Sequence, residues 1–121
     1  MSNLEVNISH VKNQLGACTI SIKGRITTEN SGTLEKSIFS NIGKGTTVLV
    51  LNMKDVDYIS STGVSLILRL KEMLESNSSH FIMANLHPTA KKIFDTVKTS
   101  SALKIFHTTE QADDYINKLQ R

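Results

Sequence analysis

The chain has 121 residues, of which 39% are hydrophobic and 21% charged, and its formal net charge is +3. This length favours one domain with a core of its own, and the small, scattered positive charge gives no argument for nucleic-acid binding. No stretch approaches the roughly 18 apolar residues of a membrane span, and the first residues lack the basic and apolar segments of a signal peptide. A cytoplasmic protein without membrane insertion is therefore expected.

Strand patterns open the chain and recur between helices. Alternating apolar residues predict strands over residues 4–11 and 17–23, which form a hairpin, and Gly24 ends the second strand. The near-continuous run of β-branched and leucine residues over 46–53 is typical of a central strand buried on both faces. The one cysteine, Cys18, lies in the second strand, where we expect a buried and inert thiol that cannot form an internal disulfide.

Apolar residues at helical spacing predict the helices. The first helix follows Gly24 and ends at the GKG sequence of residues 43–45. Its candidate caps are Thr27, Thr28 and Asn30. The second helix runs from Val64 to Glu75, with a broad apolar stripe. The remaining predicted elements are a strand over 80–86, a helix from Pro88 through Val97, a short strand over 103–108 and a helix over 108–121.

The order of these elements is β-β-α-β-α-β-α-β-α. Strands that alternate with helices form parallel pairs, whereas the opening hairpin adds an antiparallel strand. The sequence therefore predicts an α/β fold: a mixed, mostly parallel β-sheet with an N-terminal β-hairpin and about four α-helices.

Three hydroxyl residues, Ser60, Ser61 and Thr62, stand before Gly63 where the second helix is expected to begin. A helix N-terminus exposes unpaired N–H groups and the positive end of the helix dipole, so it suits an anion, including a phosphate on the residue itself. The pattern alone favours a simpler interpretation, in which Ser60 or Ser61 caps the helix. Capping, however, does not require three hydroxyls.

Three motifs in order carry a family resemblance: Gly24–Thr27 at the end of the second strand, the sequence LNMKDVDYISSTGVSLIL around the hydroxyls, and Pro88–Phe94 in the third helix. The chain resembles the STAS domain, the fold shared by bacterial anti-sigma factor antagonists and the cytoplasmic ends of sulfate transporters. The resemblance covers nearly the whole chain and implies a single STAS domain over residues 1–121.

The resemblance also implies a function. In the antagonists, an anti-sigma factor that is a serine kinase of the GHKL ATPase type phosphorylates the serine that corresponds to Ser61, and Thr62 is the second choice. The implied mechanism is partner switching, in which the unmodified protein docks on the anti-sigma factor and frees a sigma factor. Phosphorylation opposes docking, and a serine phosphatase restores it. The residues expected to border the docking surface are Ser60, Gly63, Thr27, Thr28, Ser65 and Arg69.

Two positions depart from the family pattern. Ser60 and Thr27 stand where the antagonists carry acidic residues, so the surface around Ser61 has two fewer negative charges. This keeps a second hypothesis open, a STAS subunit that is never phosphorylated and that serves a lipid-transport ABC complex or a stress-signalling scaffold.

Catalytic and cofactor sites are not indicated. The sequence has no G-x-S-x-G elbow and no phosphate-binding glycine loop, and its four histidines show neither triad nor metal-ligand spacing. Asp55 and Asp57 are expected in a solvated loop rather than at a cation site. A non-enzymatic protein without cofactor or metal is therefore expected.

Overall fold

The computed structural model describes residues 4–10, 16–42, 45–96 and 103–119. Its strands are β1 (Glu5–His10), β2 (Ala17–Ile26), β3 (Val48–Ile59), β4 (His80–Ala84) and β5 (Lys104–Phe106). Its helices are α1 (Ser31–Asn41), α2 (Ser61–Ser76), α3 (Pro88–Thr96) and α4 (Thr109–Leu119). The predicted order of strands and helices is thus confirmed.

The five strands form one sheet in the order β1-β2-β3-β4-β5. β1 pairs with β2 in antiparallel orientation, whereas the other three pairs are parallel. The mixed, mostly parallel sheet with an N-terminal hairpin is therefore as the sequence predicts. β3 lies at the centre, so it is the strand that must be apolar on both faces.

The two faces of the sheet are covered unequally. On one face, apolar residues of α1, α2 and α3 pack against alternate strand residues such as Leu49 and Leu51 and form the larger core. On the other face, α4 packs on a smaller cluster around Val50. Cys18 belongs to the larger core, and burial raises the pKa of its thiol, as expected of an inert cysteine. No helix in the described ranges is long and apolar enough to cross a membrane.

The strands that lead to the hydroxyl cluster are longer than their patterns indicate. β2 continues past Gly24 to Ile26, and β3 continues to Ile59, so Asp55 and Asp57 lie in a strand and not in the predicted loop. Two register shifts interrupt the pairing of β3 with β2, and at each shift β3 holds one extra residue. Such bulges break the two-residue alternation by which a half-buried strand is recognised.

Other boundaries shift by a few residues. α2 begins at Ser61, one turn before the predicted Val64, and β4 ends at Ala84 rather than at residue 86. Asn85 adopts a left-handed backbone conformation with φ of 62°, which turns the chain out of the sheet. The predicted GKG helix end and the predicted extension of α3 to Val97 lie wholly or partly outside the described residues.

The core should be sensitive to truncation on α2. Leu70 is fully buried on this helix, so Leu70→Ala should lower the free energy of unfolding by about 2–5 kcal/mol. Leu119 is 36% exposed, and Leu119→Ala should change it by only about 0.5 kcal/mol. Urea unfolding monitored by circular dichroism would compare the two variants, and equal losses would contradict this packing.

Candidate functional site

Ser60 is the cap of α2. Its backbone is extended, with φ of −79° and ψ of 166°, and its Oγ accepts a hydrogen bond of 3.1 Å from the N–H of Gly63. The N–H of Ser60 donates to the carbonyl oxygen of Ile26 at 2.8 Å, which ties the start of the helix to the end of β2. Ser60 is buried, so this hydroxyl supports the helix from beneath the surface.

Ser61 and Thr62 are exposed in the first turn of α2, above that cap. In the part of the chain that the structure describes, their backbone N–H groups have no acceptor. The first turn also contains no acidic residue. The positive end of the helix dipole is therefore open at Ser61, and an anionic group on this residue would be stabilised there.

Gly63 holds the first turn of α2 against the sheet. A Cβ atom built on this residue would lie 2.6 Å from Cγ2 of Ile26 and 2.9 Å from Cγ1 of Ile59. Both isoleucines are buried at the ends of their strands, so neither can move away freely. Only glycine permits this close approach, which sets the position of Ser61 relative to β2 and β3.

The loop between β2 and α1 is closed by reciprocal hydrogen bonds. The N–H of Thr27 donates to Oδ1 of Asn30 at 2.8 Å, and the N–H of Asn30 donates to Oγ1 of Thr27 at 3.2 Å. Asn30 occupies the cap position of α1, but its side chain accepts no bond from that helix because its oxygen is engaged by Thr27. Thr28 is exposed, and its hydroxyl lies 3.3 Å from that of Thr62.

Three exposed residues of α2 follow one another along the helix. Ser61, Ser65 and Arg69 are four residues apart, so they share one face. At the far end of this stripe, Nη2 of Arg69 lies 2.8 Å from Oε2 of Glu35 on α1. We call Ser61, Thr62, Ser65, Arg69 and Thr28 the hydroxyl face.

The structure thus separates the residues that the sequence groups together. It brings the five residues of the hydroxyl face to one surface, whereas Ser60 and Gly63 are buried below it and Thr27 is half-buried in the loop. Sequence reasoning missed Glu35, because its pairing with Arg69 joins residues 34 positions apart. It also missed the guanidinium of Arg25, which lies 4.4 Å from the centre of the Tyr58 ring at the end of β3.

Metal binding has no support at this site. Among the described residues, no three His, Cys, Asp or Glu side chains are grouped so that they could hold an ion. Asp55 and Asp57 are exposed on β3.

The fold is that of a STAS domain. The STAS domain model matches residues 9–112, so the chain belongs to this family. A relative from Bordetella bronchiseptica, the proposed anti-sigma factor antagonist BtrV, is 23% identical over 109 residues, which are 90% of this chain and 91% of that protein.

Two solved structures share the fold. An anti-sigma factor antagonist from Mycobacterium paratuberculosis has a TM-score of 0.81 and 16% identity, with 95% of each chain covered. The Bacillus cell fate determinant SpoIIAA, in its phosphorylated form, has a TM-score of 0.71 and 23% identity, with 93% of this chain and 99% of that chain covered. The predicted resemblance to anti-sigma factor antagonists is thus confirmed.

Removing the buried cap should cost more than removing the exposed hydroxyl next to it. Ser60→Ala leaves the N–H of Gly63 without its acceptor and should lower the free energy of unfolding by about 1 kcal/mol. Ser61→Ala should change it by no more than about 0.5 kcal/mol. Thermal and urea unfolding would measure both, and a larger loss for Ser61→Ala would mean that Ser61 is the cap.

Two glycines in helices should respond to alanine in opposite directions. Gly63→Ala forces a methyl group into Ile26 and Ile59 and should destabilise the protein by about 1–3 kcal/mol. Gly32, in the first turn of α1, has no atom within 4 Å of the place where a methyl group would lie, so Gly32→Ala should be neutral or stabilise by up to about 1 kcal/mol. Unfolding measurements that showed no difference between the two would contradict the close approach at Gly63.

Proposed function

We propose that this protein is an anti-sigma factor antagonist that acts by binding rather than by catalysis. Its hydroxyl face docks on an anti-sigma factor of the GHKL serine kinase type, and docking releases a sigma factor. Phosphorylation of Ser61 by that kinase switches the protein off, and a serine phosphatase restores it. Membership of the STAS family and similarity to anti-sigma factor antagonists support the class of function.

The choice of Ser61 depends on one observation: its hydroxyl is exposed and does not support the fold. Its neighbour Ser60 is buried and already caps the helix, and the hydroxyl of Thr62 lies beside that of Thr28. In the described part of the chain, the hydroxyl of Ser61 has no hydrogen-bond partner and the residue is exposed. A kinase could therefore reach Ser61, and its modification would break no contact of the fold.

A phosphate on Ser61 would alter the surface without changing the fold. It adds nearly two negative charges and three acceptor oxygens at the positive end of α2, where the helix dipole stabilises them. The nearest cation on the same stripe is Arg69, about 12 Å along the helix, and it is already paired with Glu35. The phosphate would therefore stay hydrated, and a partner that covers the hydroxyl face would have to remove that water.

Neutral residues at the two altered family positions fit this proposal. Ser60 caps α2 through a hydroxyl and adds no negative charge beside a phosphate on Ser61. Thr27 engages Asn30 through a hydroxyl in the same way. We infer that the partner presents a less basic surface here than the partner of an antagonist with acids at these positions.

The test begins with the protein captured from its native cells together with its partners, followed by mass spectrometry of both. We expect a GHKL-type kinase among the partners and phosphate on Ser61 in part of the bait. A bait without phosphate that brings down transporter subunits or other STAS proteins would support the second hypothesis, a STAS subunit of an ABC complex or a scaffold.

A titration against the captured kinase would then measure the switch. Ser61→Asp should weaken binding at least about tenfold, because a charge at the centre of a docking surface must be desolvated. Ser76→Asp is the matched control, since Ser76 is exposed at the opposite end of α2, and it should bind as the wild type does. Equal affinities for wild type and Ser61→Asp would contradict the proposal.

A further inference from the structure

The second half of β3 has a strand on one side only. β4 pairs with β3 from Val48 to Asn52 and then ends, whereas β3 continues for another seven residues to Ile59. Over this extension β3 pairs with β2, and no other described strand lies on its opposite side. At the start of the extension the N–H of Lys54 donates to Oδ1 of Asn52 at 3.2 Å. Farther along, alternate N–H and C=O groups face away from β2 without a strand partner among the described residues, and we call this the open edge of β3.

An apolar groove of about 210 Å³ lies beside the open edge. Its apolar walls are formed by Val56, Tyr58 and Ile59 of β3 and by Ala90 and Ile93 of α3. Tyr58 is 44% exposed and Ile93 is 37% exposed, two of the three large hydrophobic residues that the described chain exposes. The groove is smaller than the roughly 300–1,000 Å³ of small-molecule pockets, and it is closer in size to a single large side chain.

Two carboxylates lie in or close to the wall of the groove. Asp57 lines it and Asp55 is exposed two residues earlier, and in the described part of the chain neither forms an ion pair. On α3, Lys91 pairs with Asp95 instead. Of the nearby cations, Lys23 lies opposite Asp55 on β2, Lys54 precedes the two acids, and Arg25 stacks on Tyr58. Asp57 therefore offers an unpaired negative charge next to an apolar groove and an open strand edge.

We propose that the open edge of β3 binds an extended segment of a partner protein by strand addition. The segment would supply main-chain hydrogen bonds to β3, one large apolar side chain for the groove, and a lysine or arginine opposite Asp57. An extended peptide fits because its main chain can form hydrogen bonds with the open edge. The groove, at about 210 Å³, has room for one large side chain but not for a cofactor.

A second copy of this chain is a poor occupant. If the whole extension of one copy paired with that of another about a two-fold axis at Val56, Asp55 of each copy would lie opposite Asp57 of the other, and like charges opposite each other destabilise a strand pair. A different protein with a basic and apolar extended segment avoids this repulsion.

This inference goes beyond the proposed function, because it does not depend on phosphorylation of Ser61. The two surfaces are nevertheless continuous, since Ile59 lines the groove and Ser60 and Ser61 follow it directly. A partner that docks on the hydroxyl face could also reach the open edge.

The experiment uses a library of random short peptides displayed on phage, selected on the full-length protein. We expect the selected peptides to have the alternating pattern of a strand, with a large apolar residue and a nearby lysine or arginine. Their affinity should fall about tenfold when the protein carries Ile93→Lys or Asp57→Asn. Leu119→Lys and Asp114→Asn make the same changes on exposed residues of α4, and they should leave binding unchanged.

Two further measurements separate strand addition from side-chain docking alone. Hydrogen exchange should slow at least about tenfold when the peptide binds, at those amides of residues 53–59 that face away from β2. N-methylation of the peptide amides that face β3 should abolish binding, whereas N-methylation of the amides between them should leave binding unchanged. Peptides that ignore Ile93 and Asp57, or that bind without protecting residues 53–59, would overturn the proposal. Because no step involves Ser61 or the kinase, failure here would leave the proposed function standing.

Discussion

The close packing of the first turn of α2 on the ends of β2 and β3 is the constraint on which the site depends. Gly63 approaches Ile26 and Ile59 at distances that no side chain would allow. The N–H of Ser60 bonds to the carbonyl of Ile26, and its hydroxyl receives the N–H of Gly63. These contacts fix the helix N-terminus at the carboxyl ends of two strands, and they lift the side chain of Ser61 into solvent.

This arrangement divides burial and exposure between adjacent residues. Ser60 and Gly63 are buried and contribute to stability, whereas Ser61 is exposed and makes no structural hydrogen bond among the described residues. A modification of Ser61 can therefore change the charge of the surface at little cost in folding free energy. A switch that had to break the cap would lose about 1 kcal/mol or more each time it operated.

The sequence predicted the fold where periodicity was regular and failed where bulges disturbed it. Alternation located β1 and most of β2, and the apolar run of residues 46–53 located the buried half of β3. Beyond Met53 the buried residues are Val56 and Ile59, three positions apart, because β3 gains an extra residue at each register shift. That spacing is not the two-residue alternation of a strand, so the segment around Asp55 and Asp57 looked like a loop.

The site was predictable only in part for a similar reason. Helix-capping rules identify the hydroxyls before α2 but do not decide which one caps, since that depends on the burial of Ser60 against β2 and β3. The spacing of Ser61, Ser65 and Arg69 can be read directly from the sequence. The contact of Arg69 with Glu35 cannot, because it follows from how α1 and α2 pack.

The length of β3 connects the two surfaces. Because β3 extends beyond the end of β4, its last residues project past that neighbouring parallel strand. The groove lies on one side of this projection, and Ser61 follows shortly after its end. A strand of ordinary length would have ended near Met53 and removed both features. The bulges that hid this extension from sequence patterns also leave the neighbouring residues Asp57 and Tyr58 both exposed on the surface. Departure from regular strand geometry is thus what gives this domain an exposed strand edge and a groove next to an exposed hydroxyl at the start of α2.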